Sequence, residues 1–232
     1  PQEHYGRSFH PTATCGTFGA AVSAGRLLGL TEEQLLSAIG IAGSQASGSM
    51  EFLAEGAWTK RLHPGWAAFS GIHAGLLAQR DFVGPGAILE GRDGFLKAYG
   101  KETDANKITE GLGKDYQVME TAVKPHACCR YTQAPIDAIL QVTESHDLAP
   151  ELVERVDVGV LQTGIPVICE PWSKKIRPQN VVEAQVSLPF GIAVALLKRS
   201  AGLEEFGEDQ LSDKAITDMM GRVHYEPDPT LE

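Results

Sequence analysis

The sequence predicts a mainly α-helical protein, in which an all-helical domain is followed by a smaller α+β domain. Three observations favour this class. Residues 1–100 are rich in Ala, Gly and Leu with helical periodicity, residues 101–115 are polar, and apolar and polar residues alternate at residues 153–161. We therefore predict a helical domain at residues 1–110 and an α+β domain at residues 111–232.

The helices of the first half are predicted from their terminal residues. Residues 17–28 form a helix of small side chains, with Gly29 as its C-cap. Thr31 and Gln34 form a capping box that opens a second helix. Its apolar face is predicted to contain Leu35, Leu36, Ile39 and Ala42. A third helix is predicted to begin near Pro64, because proline fits the first helical turn.

The second half mixes both kinds of element. In chain order we predict a strand at residues 116–123, a helix at 131–145, a strand at 153–161, a helix at 184–197, a helix at 209–220 and a strand at 222–226. Pro189 either kinks the helix predicted at residues 184–197 or marks its start.

Composition limits the partners. The net charge of −10 argues against nucleic acid or an anionic membrane, although a small anionic substrate remains compatible. No apolar run is long enough to span a bilayer, and no signal peptide is visible. The four cysteines show no CxxC spacing, so we expect no metal site and a reduced, cytoplasmic protein. The chain begins at Pro1 without Met, and we expect it to be processed, truncated or part of a longer protein.

Three short stretches contain residues suited to acid–base or anion chemistry. In TKRLHPG, Lys60 and Arg61 could hold a carboxylate near a helix N-terminus, or form an ordinary basic turn. His10 in SFHPT could act as a general base, or bond a backbone carbonyl. Pro11 favours an extended conformation for His10.

The third stretch, VKPHACCRY, contains Lys124, Cys129 and Arg130 between a predicted strand and a predicted helix. Loops at such places often carry functional residues. Cys129 could be a nucleophile activated by the neighbouring cations, or a buried inert thiol. Walker and GxGxxG motifs are absent, so the sequence supports no nucleotide cofactor.

Several long segments together resemble the MmgE/PrpD family, which includes 2-methylcitrate dehydratase, cis-aconitate decarboxylase and iminodisuccinate epimerase. The segments are SFHPTATCGTFGAA, GIAGSQASG, EFLAEGAWTKRLHPGWAA, KPHACCRYTQAPIDA and EAQVSLPFGIAVALL. The resemblance implies a helical domain and a smaller α+β lid, with the active site in the cleft between them. It also implies a homodimer that acts on small di- and tricarboxylates without a metal or organic cofactor.

The resemblance assigns roles to matching positions. His10 would contact substrate or move a proton, and Lys60 and Lys124 would bind substrate carboxylates. We predict these three residues as catalytic, and His63, Cys129 and Arg130 as further substrate contacts.

The sequence also departs from the family pattern. In the cis-aconitate decarboxylase branch a His replaces Cys129 and a Tyr replaces Phe190. The family's upstream segment, whose Asp-Asp-x-His stretch supplies a further catalytic His, is not in this sequence. We therefore expect a fragment that is inactive alone.

Our first functional prediction is a cofactor-independent lyase that removes a proton α to a carboxylate, in a 2-methylcitrate-type dehydration. The alternatives are an iminodisuccinate-type epimerase, a truncated non-catalytic paralogue, and a thiol enzyme that uses Cys129.

Overall fold

The computed structural model describes residues 2–101 and 103–231, and they divide into two compact units, Pro1–Glu120 and Thr121–Glu232. The sequence analysis placed the division ten residues earlier, after residue 110. The protein is mainly α-helical, and the strands in its described parts form one small parallel sheet. None of the described helices is both long enough and apolar enough to cross a membrane.

The described residues of the first unit form six helices. They are α1 (Gln2–Gly6), α2 (Pro11–Leu27), α3 (Glu32–Gln45), α4 (Phe52–Glu55), α5 (Thr59–Ala78) and α6 (Phe95–Tyr99). Two 3₁₀ turns follow at Ala105–Ile108 and Gln117–Glu120. The helices α2, α3 and α5 pack against one another through a core of small side chains.

The ends of α2 follow from its sequence. Pro11 occupies the first helical position, so the helix begins six residues before the predicted start at residue 17. Gly29 follows the helix with φ +69°, as the predicted C-terminal glycine requires. The N–H of Leu30 donates to the carbonyl of Gly25, which closes the helix end with a Schellman motif.

The capping box at the start of α3 is confirmed, because the Thr31 hydroxyl accepts from the Gln34 N–H and the Gln34 side chain accepts from the Thr31 N–H. The predicted apolar face is only partly correct. Its buried centre is formed by Ala38, Ile41 and Ala42, whereas Leu36 is half exposed. Small residues face the core because the helices approach closely, and larger side chains lie at the margin.

The predicted start of α5 is wrong. The helix begins at Thr59, and Pro64 lies inside it. Proline removes one backbone hydrogen bond there. The helix continues through the proline because the small residues of α5 pack against α2, where Gly71 and Ala74 are buried.

In the second unit, residues 121–231 form six helices and two strands. They are α7 (Arg130–Ser145), β1 (Val156–Val160), α8 (Ile165–Ile168), α9 (Trp172–Lys175), α10 (Val181–Gln185), α11 (Leu188–Lys198), α12 (Lys214–Met220) and β2 (Val223–Pro227). This part of the chain also has 3₁₀ turns at Pro150–Leu152, Glu208–Ser212 and Pro229–Leu231. The strands pair in parallel, with Val156 opposite Val223.

The helix α11 is the centre of this unit, since it is buried on all sides and packs against α7 and α12. Pro189 is its second residue, so the proline marks the helix start. Ser187 caps the helix by accepting the N–H of Phe190. The helix predicted at residues 209–220 is divided, because Asp213 ends the 3₁₀ turn and caps α12.

The strand predicted at residues 116–123 is wrong. The structure has a 3₁₀ turn at Gln117–Glu120 instead. Its large apolar side chains, Val118 and Met119, are 71% and 81% exposed. A strand requires a pairing partner and a buried face, and this segment has neither among the described residues.

Candidate functional site

His10 lies at the N-cap of α2 in an extended conformation, with φ −93° and ψ 108°, as predicted for a residue before proline. Its backbone N–H donates to the carbonyl of Gly48 at 3.0 Å. The adjacent residue Phe9 forms an antiparallel bridge with Ser49. The segment after α3 therefore holds the backbone of His10 in place.

His63 projects from α5 towards His10. The two Nδ1 atoms lie 2.7 Å apart, within hydrogen-bonding distance, and the side chains belong to residues that are 9% and 8% exposed. Among the described residues, the His10 ring is hydrogen-bonded to this imidazole rather than to a backbone carbonyl. The sequence presented these histidines as separate candidates, and the structure brings them together.

Phe52 forms an apolar wall beside the histidine pair. Its ring centroid lies 5.3 Å from that of His10 and 5.6 Å from that of His63, and Phe52 itself is 3% exposed. The Nζ atom of Lys60 lies 6.0 Å from the same ring. Sequence reasoning missed Phe52, although it lies inside the family-like stretch that contains Lys60.

The environment favours the neutral form of both histidines. Burial, followed by the proximity of His63 and Lys60, lowers the pKa of His10 to about 4. Burial also lowers the pKa of His63 below its ordinary value. At neutral pH each imidazole is uncharged, so one of them can accept a proton from a substrate.

The two cations of TKRLHPG have different surroundings. Lys60 is half buried and close to the histidine pair, whereas Arg61 is exposed and lies over the Trp58 ring at 5.4 Å. Both belong to the first turn of α5 rather than to a preceding loop, which still places them at the positive end of the helix dipole. Of these two cations, only Lys60 lies near the buried imidazoles.

In the second unit, Lys124 and Arg130 are exposed, and Cys129 is half buried at the N-cap of α7. The N–H of Cys129 donates to the carbonyl of Gln185 at 2.7 Å, and its carbonyl accepts the Thr132 hydroxyl at 2.8 Å. These bonds fix the backbone around the predicted residues.

The neighbouring His126 is paired with Asp137 at 2.8 Å. Within the described part of the chain, no histidine bonds the Cys129 sulfur. A thiol nucleophile of the Cys–His type therefore receives no support from this geometry.

Sequence reasoning also missed Lys175, which is 8% exposed. Its ammonium donates to the carbonyls of Val167 and Val186, the second at 2.8 Å. Burial lowers its pKa to about 8, against opposing contributions from Cys129 and Cys169. Lys175 thereby fixes the chain between α10 and α11, next to the carbonyl that receives the Cys129 N–H.

In the described ranges no group of three or more His, Cys, Asp and Glu side chains is arranged to hold a metal ion. The four cysteines are free: Cys15 is exposed, Cys129 is half buried, and Cys128 and Cys169 are buried.

Several curated proteins are similar to this chain in sequence. The cis-aconitate decarboxylase of Aspergillus terreus (strain NIH 2624 / FGSC A1156) is 29% identical over 231 residues, covering 93% of this chain and 46% of the relative. The cis-aconitate decarboxylase-like protein oryM of Aspergillus oryzae is 26% identical over 227 residues, covering 94% and 47%. The Homo sapiens cis-aconitate decarboxylase is 25% identical over 231 residues, covering 96% and 46%. The chain spans about half the length of the curated relatives it matches.

Family comparison covers most of the chain. Residues 1–107 match the MmgE/PrpD N-terminal domain, and residues 126–232 match the MmgE/PrpD C-terminal domain. The two matched ranges follow the same order as the two structural units. The division between the units, after residue 120, lies in the gap between the matches. The chain therefore belongs to the MmgE/PrpD family.

Proposed function

We propose that this chain provides part of the active site of a lyase that removes a proton from the carbon α to a carboxylate of a small di- or tricarboxylate. One observation carries the proposal. Two neutral, buried imidazoles are hydrogen-bonded to each other beside Lys60. A neutral imidazole accepts a proton, and the ammonium stabilises the negative charge that develops on the substrate carboxylate.

In the proposed reaction, His10 takes the α-proton on a ring nitrogen, and the C–H electron pair enters an enediolate. Lys60 pairs with a carboxylate of the substrate. Lys124 is assigned the same role by its match to the family position, and this assignment rests on the resemblance alone. Dehydration is completed when the enediolate electron pair forms the C=C bond and the β-hydroxyl group leaves as water, with a proton from the His10 imidazolium or from solvent.

Dehydration of a 2-methylcitrate-type hydroxy acid is the first reaction proposed. The names of the relatives favour decarboxylation of cis-aconitate as the second. Two positions argue against the second reaction, because Cys129 replaces the His of that branch and Phe190 replaces its Tyr. Phe190 is fully buried against Phe206 and provides no hydroxyl group.

The remaining alternatives make different predictions. An iminodisuccinate-type epimerase would use the same proton abstraction, but no group would leave. A non-catalytic paralogue would bind without turnover. A thiol enzyme would be inactivated by alkylation of Cys129 at neutral pH, and resistance to alkylation would exclude it.

We also propose that the protein is a homodimer. The outward face of α5 supports this proposal, because it presents large apolar side chains that are about half exposed: Leu62 (56%), Trp66 (46%), Phe69 (57%) and Leu76 (45%). Exposed apolar faces of this kind are typical of subunit interfaces. The free cysteines support a cytoplasmic location. Light scattering after size-exclusion chromatography tests the dimer, and a monomer at micromolar concentration would contradict it.

The reaction is tested by proton NMR in D₂O with 2-methylcitrate, citrate, cis-aconitate and iminodisuccinate offered separately. Two forms are compared: the 232-residue chain and a form extended by the flanking sequence of its gene. Loss of water, loss of CO₂ or exchange of the α-proton identifies the reaction together with its substrate. Silence of both folded forms with all four acids would contradict the proposed activity and favour the non-catalytic paralogue.

A further inference from the structure

We propose that His63 is a positioning residue: its Nδ1 accepts a hydrogen bond from Nδ1–H of His10, so that Nε2 of His10 is the atom that receives the substrate proton. This inference rests on the proposed function, which assigns proton transfer to His10. It replaces the predicted role of His63 as a substrate contact.

The argument begins with the 2.7 Å separation of the two Nδ1 atoms. Each Nδ1 of a neutral imidazole has either a hydrogen or a lone pair. Two lone pairs or two hydrogens would repel at this distance, so one ring donates and the other accepts. Because Nδ1 of His10 faces His63, His10 can take a substrate proton only on Nε2. The proposed role of His10 as a base therefore requires His10 to donate through Nδ1 and His63 to be the Nε2–H tautomer.

The surroundings hold both rings in place. The backbone of His10 is fixed by its bond to Gly48, and the His63 ring lies on α5 against Phe52. Gly48 has φ +149°, and a Cβ atom at this position would lie 2.5 Å from that of Ala13 and 3.6 Å from Cε1 and Nε2 of His63. Glycine is therefore required where the chain passes the histidine pair.

The Nδ1–Nδ1 bond is also retained in the protonated intermediate. When the α-proton arrives at Nε2 of His10, this ring becomes an imidazolium that still donates through Nδ1 to the neutral His63. A carboxylate fulfils the same orienting role in the Ser-His-Asp triad. Here a neutral imidazole replaces it, and the charge at Lys60 disfavours a second proton on the pair.

The test is a long-range ¹H–¹⁵N NMR spectrum of the 232-residue chain with labelled histidine at neutral pH, which distinguishes the two tautomers of each ring. His10→Asn and His63→Asn assign the signals. We expect Nδ1–H for His10 and Nε2–H for His63. The opposite pattern, or no fixed tautomer for either ring, would overturn the inference.

Two substitutions distinguish a positioning role of His63 from a role in packing alone. His63→Asn retains an acceptor near the position of Nδ1, and we expect His10 to keep its Nδ1–H tautomer. His63→Phe removes the acceptor, and we expect the tautomer of His10 to change while circular dichroism still reports a folded chain. If His63→Phe does not fold, His63→Asn decides alone, because a changed His10 tautomer in that variant contradicts the inference.

Kinetics in a form that turns over substrate provide a second readout. We expect His63→Phe to lower kcat about 10- to 100-fold with little change in KM, in the range for one acid–base contribution. We expect His63→Asn to recover most of this loss. An increased KM in both variants would instead identify a substrate contact. If no acid is turned over, the proposed function fails, while the tautomers still decide for or against the role of His63.

Discussion

Gly71 of α5 lies directly against the backbone of α2 at Ala20 and Ala21. A Cβ atom at residue 71 would lie 2.5 Å from the backbone nitrogen of Ala21 and would overlap the Ala20 side chain. Gly71 is buried, and the helices that meet here carry His10, at the N-cap of α2, and His63, within α5. The geometry of the histidine pair therefore depends on this close approach of the two helices.

We predict that Gly71→Ala lowers the free energy of unfolding by about 1–3 kcal/mol, because an added methyl group must push the helices apart. The matched control is Gly65→Ala in the same helix, since a Cβ atom there meets no atom within 4 Å. The control is expected to be neutral, or stabilising by up to about 1 kcal/mol. Urea denaturation measures both variants, and equal midpoints would contradict the prediction.

The buried Lys175 leads to a second stability prediction. Lys175→Met removes the donor from the carbonyls of Val167 and Val186 and leaves them buried. A loss of about 1–3 kcal/mol is expected for each unsatisfied buried group, although the removal of a buried charge offsets part of it. Lys174→Met is the control, because that neighbour is exposed. A Lys175→Met chain as stable as the control would show that the two carbonyls find other donors.

Much of the fold could be predicted, because local signals coincide with the packing. The capping box at Thr31, the glycine after α2 and the alternation in β1 each report a local preference that the structure keeps. The predictions at Pro64 and at residues 116–123 were wrong because tertiary packing, and not local sequence preference, determines the backbone conformation there. Packing against α2 holds the helix through the proline, and the lack of a partner strand prevents the predicted strand.

The candidate site was only partly predictable. His10 and Lys60 were found by residue type and family resemblance, but their relation to Phe52 requires the contact between α2 and α5. Lys175 gave no sequence signal, because its burial depends on how α9 packs against α11. Gly48 could have been noticed in the glycine- and serine-rich segment that follows α3, though not its proximity to His63.

The proposed role of Lys124 is tested by measuring turnover. We predict that Lys124→Ala lowers turnover at least ~10²-fold, as for a positioned group that stabilises developing negative charge. Lys214→Ala is the control, because Lys214 is an exposed lysine of the same unit at the start of α12. The NMR assay measures both variants in the form that shows turnover. Near-normal turnover of Lys124→Ala would refute the role assigned by the resemblance.

The depressed pKa of His10 makes stability depend on pH. In the folded chain burial, His63 and Lys60 lower this pKa to about 4, whereas the unfolded chain has the ordinary value near 6.5. Between these values the unfolded state binds more protons, so stability decreases as pH falls through this window. Above pH 6.5 the contribution of His10 is complete, and below pH 4 it no longer changes with pH.

We therefore expect the urea midpoint of the wild-type chain to fall between pH 6.5 and 4 more steeply than that of His10→Asn, which lacks this titrating group. His146→Asn is the matched control for removal of a histidine, since His146 is exposed at the end of α7. Denaturation curves at pH 7, 5.5 and 4.5 measure the three slopes. Equal slopes for the wild type and His10→Asn would mean that His10 is protonated as easily in the folded chain as in the unfolded one, and would remove the neutral base on which the proposed proton abstraction depends.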